Sequence, residues 1–466
     1  LDPSTPSMYR GPHGMLPFTV HQEIIDIKGS TPITFIVKET RHGPVISDSY
    51  ARVKRAINTN RYALALRWTA LDPENQSVVG LLEMNRAKDL DSFKAAIHKN
   101  YAPMQNVVMA DTDGNIAYQA AGVAPKRTLH QGLYGIAPAP GWDPQYDWNG
   151  YLPFDQLPNS SNPEQGWIAT ANQAVTALNN PNPLTADWDV PTRYDRIVQL
   201  INAKSTFDLQ YMKTMQGDTL SLGATPLLEL FKSSKTTHPL GSKTLDLIQK
   251  FDGNMSVDSP GALIFNAWAD HLTRNVFSRL SYLFFDNYGA RNFRYPLIAI
   301  LQNPNNPWCD LPKTPALETC AESSNIALDR ALEYLSEQYG KDPASWAWGK
   351  AHIAISEHRP LSKIPVLGKF FNITTPFPGD SFSINVGRLE LNNSSNPYET
   401  LQGPSLRAIY DLSDLEKSLF VYQTGQSGWI QSKSYRNLNS LWAKNEYLPL
   451  QMKPEKTTRT LELSNK

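Results

Sequence analysis

Gln105-Asn-Val-Val-Met-Ala-Asp-Thr-Asp-Gly-Asn-Ile-Ala-Tyr-Gln-Ala120 is the stretch that decides how this chain folds. Two apolar runs flank Asp113-Gly114, and an Asp-Gly step between such runs signals a β-hairpin, because both residues tolerate the positive φ of a tight turn. Antiparallel strands are expected here. Upstream, Ile33-Thr-Phe-Ile-Val-Lys-Glu-Thr40 alternates around β-branched residues and is stopped by Gly43-Pro44, a second strand signal. A helix is expected near Asp91–Lys99. Downstream, residues 131–190 are rich in Pro, Gly, Trp and Asn, which predicts long loops around one short strand, Trp167-Ile-Ala-Thr-Ala171.

From about residue 193 the apolar period lengthens to that of a helix. Ile264, Trp268, Leu272 and Val276 share one helical face that Phe265 and Phe277 widen. Ile326, Leu328, Ala331, Leu332 and Leu335 do the same in a second helix. The C-terminal part returns to strand and loop. With no internal repeat and no Ser/Gly-rich linker, this order predicts one large body. A sheet-rich core spans 1–192, a mainly helical region packed on it spans 193–345, and 346–466 returns to the core.

Lys plus Arg equals Asp plus Glu, 44 each, so no positive excess points to nucleic acid. No apolar run approaches the ~20 residues that span a bilayer. A soluble chain with neither a nucleic-acid nor a membrane partner is expected. The 35 prolines argue for stiff loops rather than a helical bundle. The 11 Trp, 20 Tyr and 17 Phe suit a sheet-rich enzyme, and equally a carbohydrate-binding or carbohydrate-cleaving protein with aromatic platforms. Leu1-Asp-Pro-Ser4 has none of the regions of a signal peptide, so the N-terminus reads as processed or truncated.

Cys309 and Cys320 flank a loop containing Pro312 and Pro315, short enough to close as a disulfide if the turn brings their Cα atoms within ~7 Å. Two free thiols are the alternative, and with no His nearby the pair cannot complete a zinc site. A disulfide implies an oxidising compartment, hence a periplasmic or secreted location. The common catalytic signatures are missing. Gly425-Gln-Ser-Gly428 and Gly379-Asp-Ser-Phe-Ser383 both lack the second Gly of a nucleophile elbow. No metalloprotease, phosphate-loop or dinucleotide motif occurs, and the nine His show no metal-ligand spacing. His271, among apolar neighbours, reads as structural. Read from its residues alone, the chain carries no self-contained catalytic machine.

A series of strings in order nevertheless resembles the penicillin acylase family and its acyl-homoserine lactone and cephalosporin acylase branches. They include Thr40-Arg-His-Gly-Pro-Val-Ile46, Arg67-Trp-Thr69, Asn85-Arg-Ala-Lys-Asp-Leu-Asp-Ser-Phe93 and the opening stretch running into Gly122-Val-Ala-Pro-Lys-Arg127. Trp148-Asn-Gly-Tyr-Leu-Pro-Phe154, Gly166-Trp-Ile-Ala-Thr-Ala-Asn172, Arg193-Tyr-Asp-Arg-Ile197, Trp348-Gly-Lys-Ala-His352, Pro378-Gly-Asp380, Ser405-Leu-Arg407 and Gly425-Gln-Ser-Gly428 follow. The resemblance covers essentially the whole chain and implies an α+β fold: the αββα sandwich of N-terminal-nucleophile hydrolases, two antiparallel sheets between helices, with a helical insertion. It further implies self-cleavage of a precursor into α and β subunits, after which the new terminal Ser attacks an amide with its own α-amine as base. An α-amine is suited to this, since its ordinary pKa of ~7.7–8.0 lies near neutrality.

The matching β subunits begin several tens of residues before Leu1, so the resemblance places the Ser nucleophile in a segment outside this sequence. An α subunit, a Ser-bearing N-terminal β segment and a small N-acylated substrate are the implied partners. Asn172 matches the oxyanion-hole Asn, and Arg193 matches an Arg beside the nucleophile, where a fixed cation disfavours protonation of the amine. A loop Asn in an Asx turn, and an Arg paired with Asp189 or Asp195, are the plain structural alternatives. Arg196 reads as structural. Leu81 and Gln105 fall where relatives line the acyl pocket, although core packing accounts for a Leu equally well. His42 and His352 are expected to position backbone, and Asp411 with Arg407 to form a buried pair. No cofactor is implied for the chemistry, while some relatives hold a structural Ca²⁺. The rival to an amide-hydrolysing acylase is a ligand-binding relative that has lost the nucleophile.

Overall fold

The computed structural model describes residues 1, 4–51, 53, 57–128, 132–177, 180–281, 284–285, 289–389, 391, 396–400, 402–453 and 462. The chain divides into two units, Leu1–Trp188 and Asp189–Lys466.

In the first unit β1 (Met8–Gly11) and β2 (Gly14–Pro17) form a hairpin. A second sheet joins β3 (Thr19–Ile25), β4 (Ile33–Thr40) and β5 (Gly43–Pro44), with Thr19 opposite Glu39 and Ile25 opposite Ile33. A third joins β6 (Gln105–Ala110), β7 (Ile116–Ala121) and β8 (Asn159–Ser161). The expected hairpin is present, but its connection is five residues long, since Ala110 pairs with Ile116. The Asp111 carboxylate closes this loop, accepting from Asp113 N at 3.0 Å and Asn115 N at 2.9 Å. Gly114, at φ 90°, supplies the left-handed residue.

Two helices, α1 (Ser77–Met84) and α2 (Leu90–His98), belong to this unit. Asp89 caps α2, accepting from Ser92 N at 2.8 Å, while the Ser92 hydroxyl accepts from Asp89 N in return. Ile97 packs with Met109, Ala117 and Ala121, so α2 lies on the β6–β7 pair. The one short strand of 131–190 is not the expected Trp167–Ala171. Asn159–Ser161 takes that role, because the free edge of β7 offers it partners (Ala117 opposite Ser161), whereas 167–171 runs without a ladder among the described residues.

The second unit is built on α7 (Pro260–Val276), preceded by α3 (Thr192–Asn202), α4 (Leu209–Gln216), α5 (Leu228–Ser233) and α6 (Gly241–Lys250). It is followed by α8 (Ala290–Leu301), α9 (Cys320–Tyr339) and α10 (Trp348–Ala351). Ile264, Trp268, Leu272 and Val276 are fully buried, as are Leu328, Ala331, Leu332 and Leu335 on α9, so both helical stripes face one core. Ile326 is only half-buried, and Ala327 takes the fully buried place beside Leu328. The Trp268 indole N–H finds the Ser324 hydroxyl at 3.1 Å, satisfying the one polar atom of a side chain otherwise surrounded by hydrocarbon. Cys309 and Cys320 are joined by a disulfide with Cα atoms 4.9 Å apart. Two further antiparallel sheets close this unit. One pairs β9 (Ile353–Ser356) with β10 (Ile373–Pro376), and the other orders β11 (Leu406–Ile409), β12 (Leu419–Tyr422) and β13 (Leu448–Pro449). No described helix is long and apolar enough to cross a membrane.

Candidate active site

Asn172 follows an extended segment whose polar groups turn inward. The Thr170 hydroxyl oxygen is buried with no hydrogen-bond partner, and Ala171 N donates to Gln173 Oε1 at 2.7 Å. The Gln173 side chain thus clamps the backbone just before Asn172, which takes φ 70° and is exposed. Left-handed backbone is unfavourable for most residues, and Asn is one of the few that adopt it routinely. Asn172 therefore sits on a left-handed bend, not at the end of a paired strand as the sequence suggested.

Leu81 is on α1 and 56% exposed, in a row with exposed Val78 and Leu82, so core packing does not account for it. Gln105 opens β6 opposite Ala121 and is exposed. These two residues and Asn172 occupy three separate elements of the first unit.

Arg193 lies in the second unit, in the first turn of α3. A cation there opposes the helix dipole, which favours acids at this end. Asp189 compensates, with its Oδ2 3.5 Å from Arg193 Nη2. The same oxygen accepts a closer hydrogen bond from Arg291 Nη1, and Asp189 Oδ1 accepts from Val190 N at 2.9 Å. Arg291 is fixed in turn by the Ser381 carbonyl, to which its Nε donates at 2.8 Å. Burial, and then the neighbouring Arg291 charge, lower the Arg193 pKa, against the opposing pull of Asp189. Thr192, 2% exposed, keeps its hydroxyl oxygen without a partner beside this group. Arg196 is committed elsewhere, forking Asp218 at 3.0 and 2.8 Å. The Asp189 spacing was readable as an i,i+4 pair; Arg291, some hundred residues away, carries no such signal.

The other residues singled out in the sequence are held by neighbouring side chains and backbone. Asp147 accepts both Arg41 Nη atoms at 2.7 and 2.8 Å and contacts His42 Nε2 at 2.8 Å. Partial burial pushes the Asp147 carboxyl up, but these hydrogen bonds and charges outweigh it and hold the group below the usual carboxylate range. His352 is fully buried, with Nδ1 2.6 Å from the Phe377 carbonyl and its ring stacked on Trp348. The expected Arg407–Asp411 pair does not form. Arg407 is buried and donates to Trp442 O at 2.8 Å and Asn385 Oδ1 at 2.6 Å, whereas Asp411 accepts from the Ser413 hydroxyl at 2.6 Å in an exposed turn. Neutral acceptors spare Arg407 the desolvation of a second ion. Among the described residues no group of three or more His, Cys, Asp or Glu is gathered to hold a metal ion.

The penicillin amidase family model matches residues 1–459. The chain is 27% identical to the acyl-homoserine lactone acylase QuiP of Pseudomonas aeruginosa, a match covering 95% of this chain and 56% of that protein. It is 24% identical to the penicillin acylase 2 proenzyme of Pseudomonas sp., over 93% of this chain and 54% of that protein. The chain thus spans about half the length of the curated relatives it matches. Among solved structures, the thermostable penicillin G acylase from Alcaligenes faecalis superposes with a TM-score of 0.69 at 17% identity, covering 100% of this chain and 85% of that one, a likeness of fold. The chain belongs to the penicillin amidase family.

Proposed function

We propose that the chain is the larger part of an acylase that hydrolyses the linear amide of an N-acylated small molecule of β-lactam or acyl-homoserine lactone type. In this reading a Ser carried outside these 466 residues attacks the carbonyl carbon, its hydroxyl proton passing to its own α-amine. The tetrahedral intermediate collapses with loss of the C–N bond, the amine leaves with that proton, and water then hydrolyses the acyl-enzyme. Asn172 Nδ2–H donates to the oxyanion and Arg193 stands as a fixed cation near the amine, while Leu81 and Gln105 border the acyl chain.

The observation that carries the reading is Asn172 itself, an exposed residue with an amide side chain at φ 70°, just after a backbone N–H held by Gln173, in a chain of this family. The αββα sandwich belongs to the same proposal, supported by the antiparallel pairing of the strands and by the likeness to penicillin G acylase. So do the α subunit and the Ser-bearing segment as partners. A periplasmic or secreted location is supported by the Cys309–Cys320 disulfide. The structural Ca²⁺ held by some relatives finds no ligand cluster among the described residues, and no step is routed through it.

The test is an acylase assay of the complete protein against aromatic and aliphatic acyl amides, with Asn172→Ala alongside. Loss of one oxyanion donor lowers kcat by about 10²–10³. A folded Asn172→Ala protein with near-normal kcat overturns the assignment.

A further inference from the structure

The geometry points to Asp189 and Arg291 as positioning residues that set the aim and the net charge of Arg193, because one carboxylate is divided between two guanidinium groups. The inference rests on the role given to Arg193 above. Arg193, Asp189 and Arg291 side chains are 15%, 23% and 14% exposed, so their charges act on one another with little solvent screening. Asp189 Oδ2 serves both cations, and Arg193 has the longer contact at 3.5 Å. Asp189 Oδ1 is spent on Val190 N–H, which fixes the carboxylate to the backbone just ahead of α3.

Two positive charges and one negative leave a net positive charge at the group. A simple Arg193–Asp189 pair would be neutral. Around the group, Arg388 and Asp380 act on Arg291 with opposite signs, the buried Arg294 of the same helix α8 interacts with Asp380 and adds a further positive charge, and Asp195, on α3 with Arg193, acts on Tyr295. Arg291 thus performs two tasks. It draws the carboxylate away from Arg193, and it keeps the site cationic. A net cation beside an amine disfavours the protonated amine, leaving more of it as usable base at a given pH.

Asp189 and Arg291 therefore carry opposite signatures. In the complete acylase, the acid limb of the kcat/KM profile reports the free-enzyme base. Asp189→Asn removes the shared negative charge and moves that limb to lower pH. Arg291→Gln leaves Arg193 and Asp189 as a neutral pair and moves it to higher pH, each by on the order of half a unit or more. Arg291→Lys, which keeps the charge, returns the limb to its wild-type position.

A merely structural role predicts lower activity in every variant with no displacement of the limb. Each arm decides alone, should the other variant fail to fold. An unmoved limb, or one displaced in the opposite sense, in either folded protein overturns the inference. Arg193→Ala in the same assay separates the two readings: if it leaves kcat/KM intact, the role of Arg193 fails, and with it the premise.

Discussion

His352 shows how one buried side chain makes a fold sensitive to pH. Its ring nitrogens lie 2.6 Å from the Phe377 carbonyl and 3.2 Å from the Gly387 carbonyl, and burial pushes its pKa down despite those contacts. The folded protein thus resists a proton that the unfolded chain accepts freely below about pH 6.5. Stability falls as pH drops from there towards the lowered folded value, by about 1.4 kcal/mol per unit for this one group. Urea unfolding of wild type and His352→Gln between pH 7 and pH 5 checks it: the wild type loses stability more steeply, and parallel slopes refute the assignment. The Trp348-Gly-Lys-Ala-His352 string offered His352 as scaffolding, yet its carbonyl partners lie 25 and 35 residues further along, beyond any local pattern.

At the scale of elements, α7 was the most legible part of the chain. Ser259 accepts from Ala262 N at 3.1 Å and Pro260 opens the first turn, so a cap, a stiff start and an apolar stripe agree on one helix. Ser259→Ala is expected to cost about 1 kcal/mol. Leu272→Ala, at a fully buried position, costs about 2–5 kcal/mol through lost burial and the cavity left behind. Denaturant midpoints order the two, and a larger loss for Ser259→Ala contradicts the packing described. Strands were less legible. Ile33–Thr40 forms where its alternation predicts, yet Ile33, Phe35 and Ile36 remain exposed. Asn159–Ser161 pairs although its residues are polar, and the mostly apolar Trp167–Ala171 has no ladder among the described residues. A helix completes its hydrogen bonds within itself, whereas a strand needs an edge supplied from elsewhere.

For the molecule as a whole, the Cys309–Cys320 bridge ties the loop before α9 to its first turn, across a sequence separation of 11. Closing a loop of that length restrains the unfolded chain by about 3 kcal/mol. The double Cys309→Ala, Cys320→Ala variant is expected to lose about that much in chemical unfolding, and reduction of the wild type to reproduce the loss. An unchanged midpoint in both places the stabilisation elsewhere. The amino-acid order by itself determined the helical stripes, the hairpin and the cysteine pair, since each depends on residues a few positions apart. It also carried the family resemblance, motif by motif. Only the tertiary structure decided which extended segment gains a ladder, that Arg407 answers neutral acceptors rather than Asp411, and that Asp189 divides itself between Arg193 and Arg291. Those outcomes depend on which desolvated group meets which partner from far along the chain, and the cost of burying a charge or a backbone amide is set by that meeting.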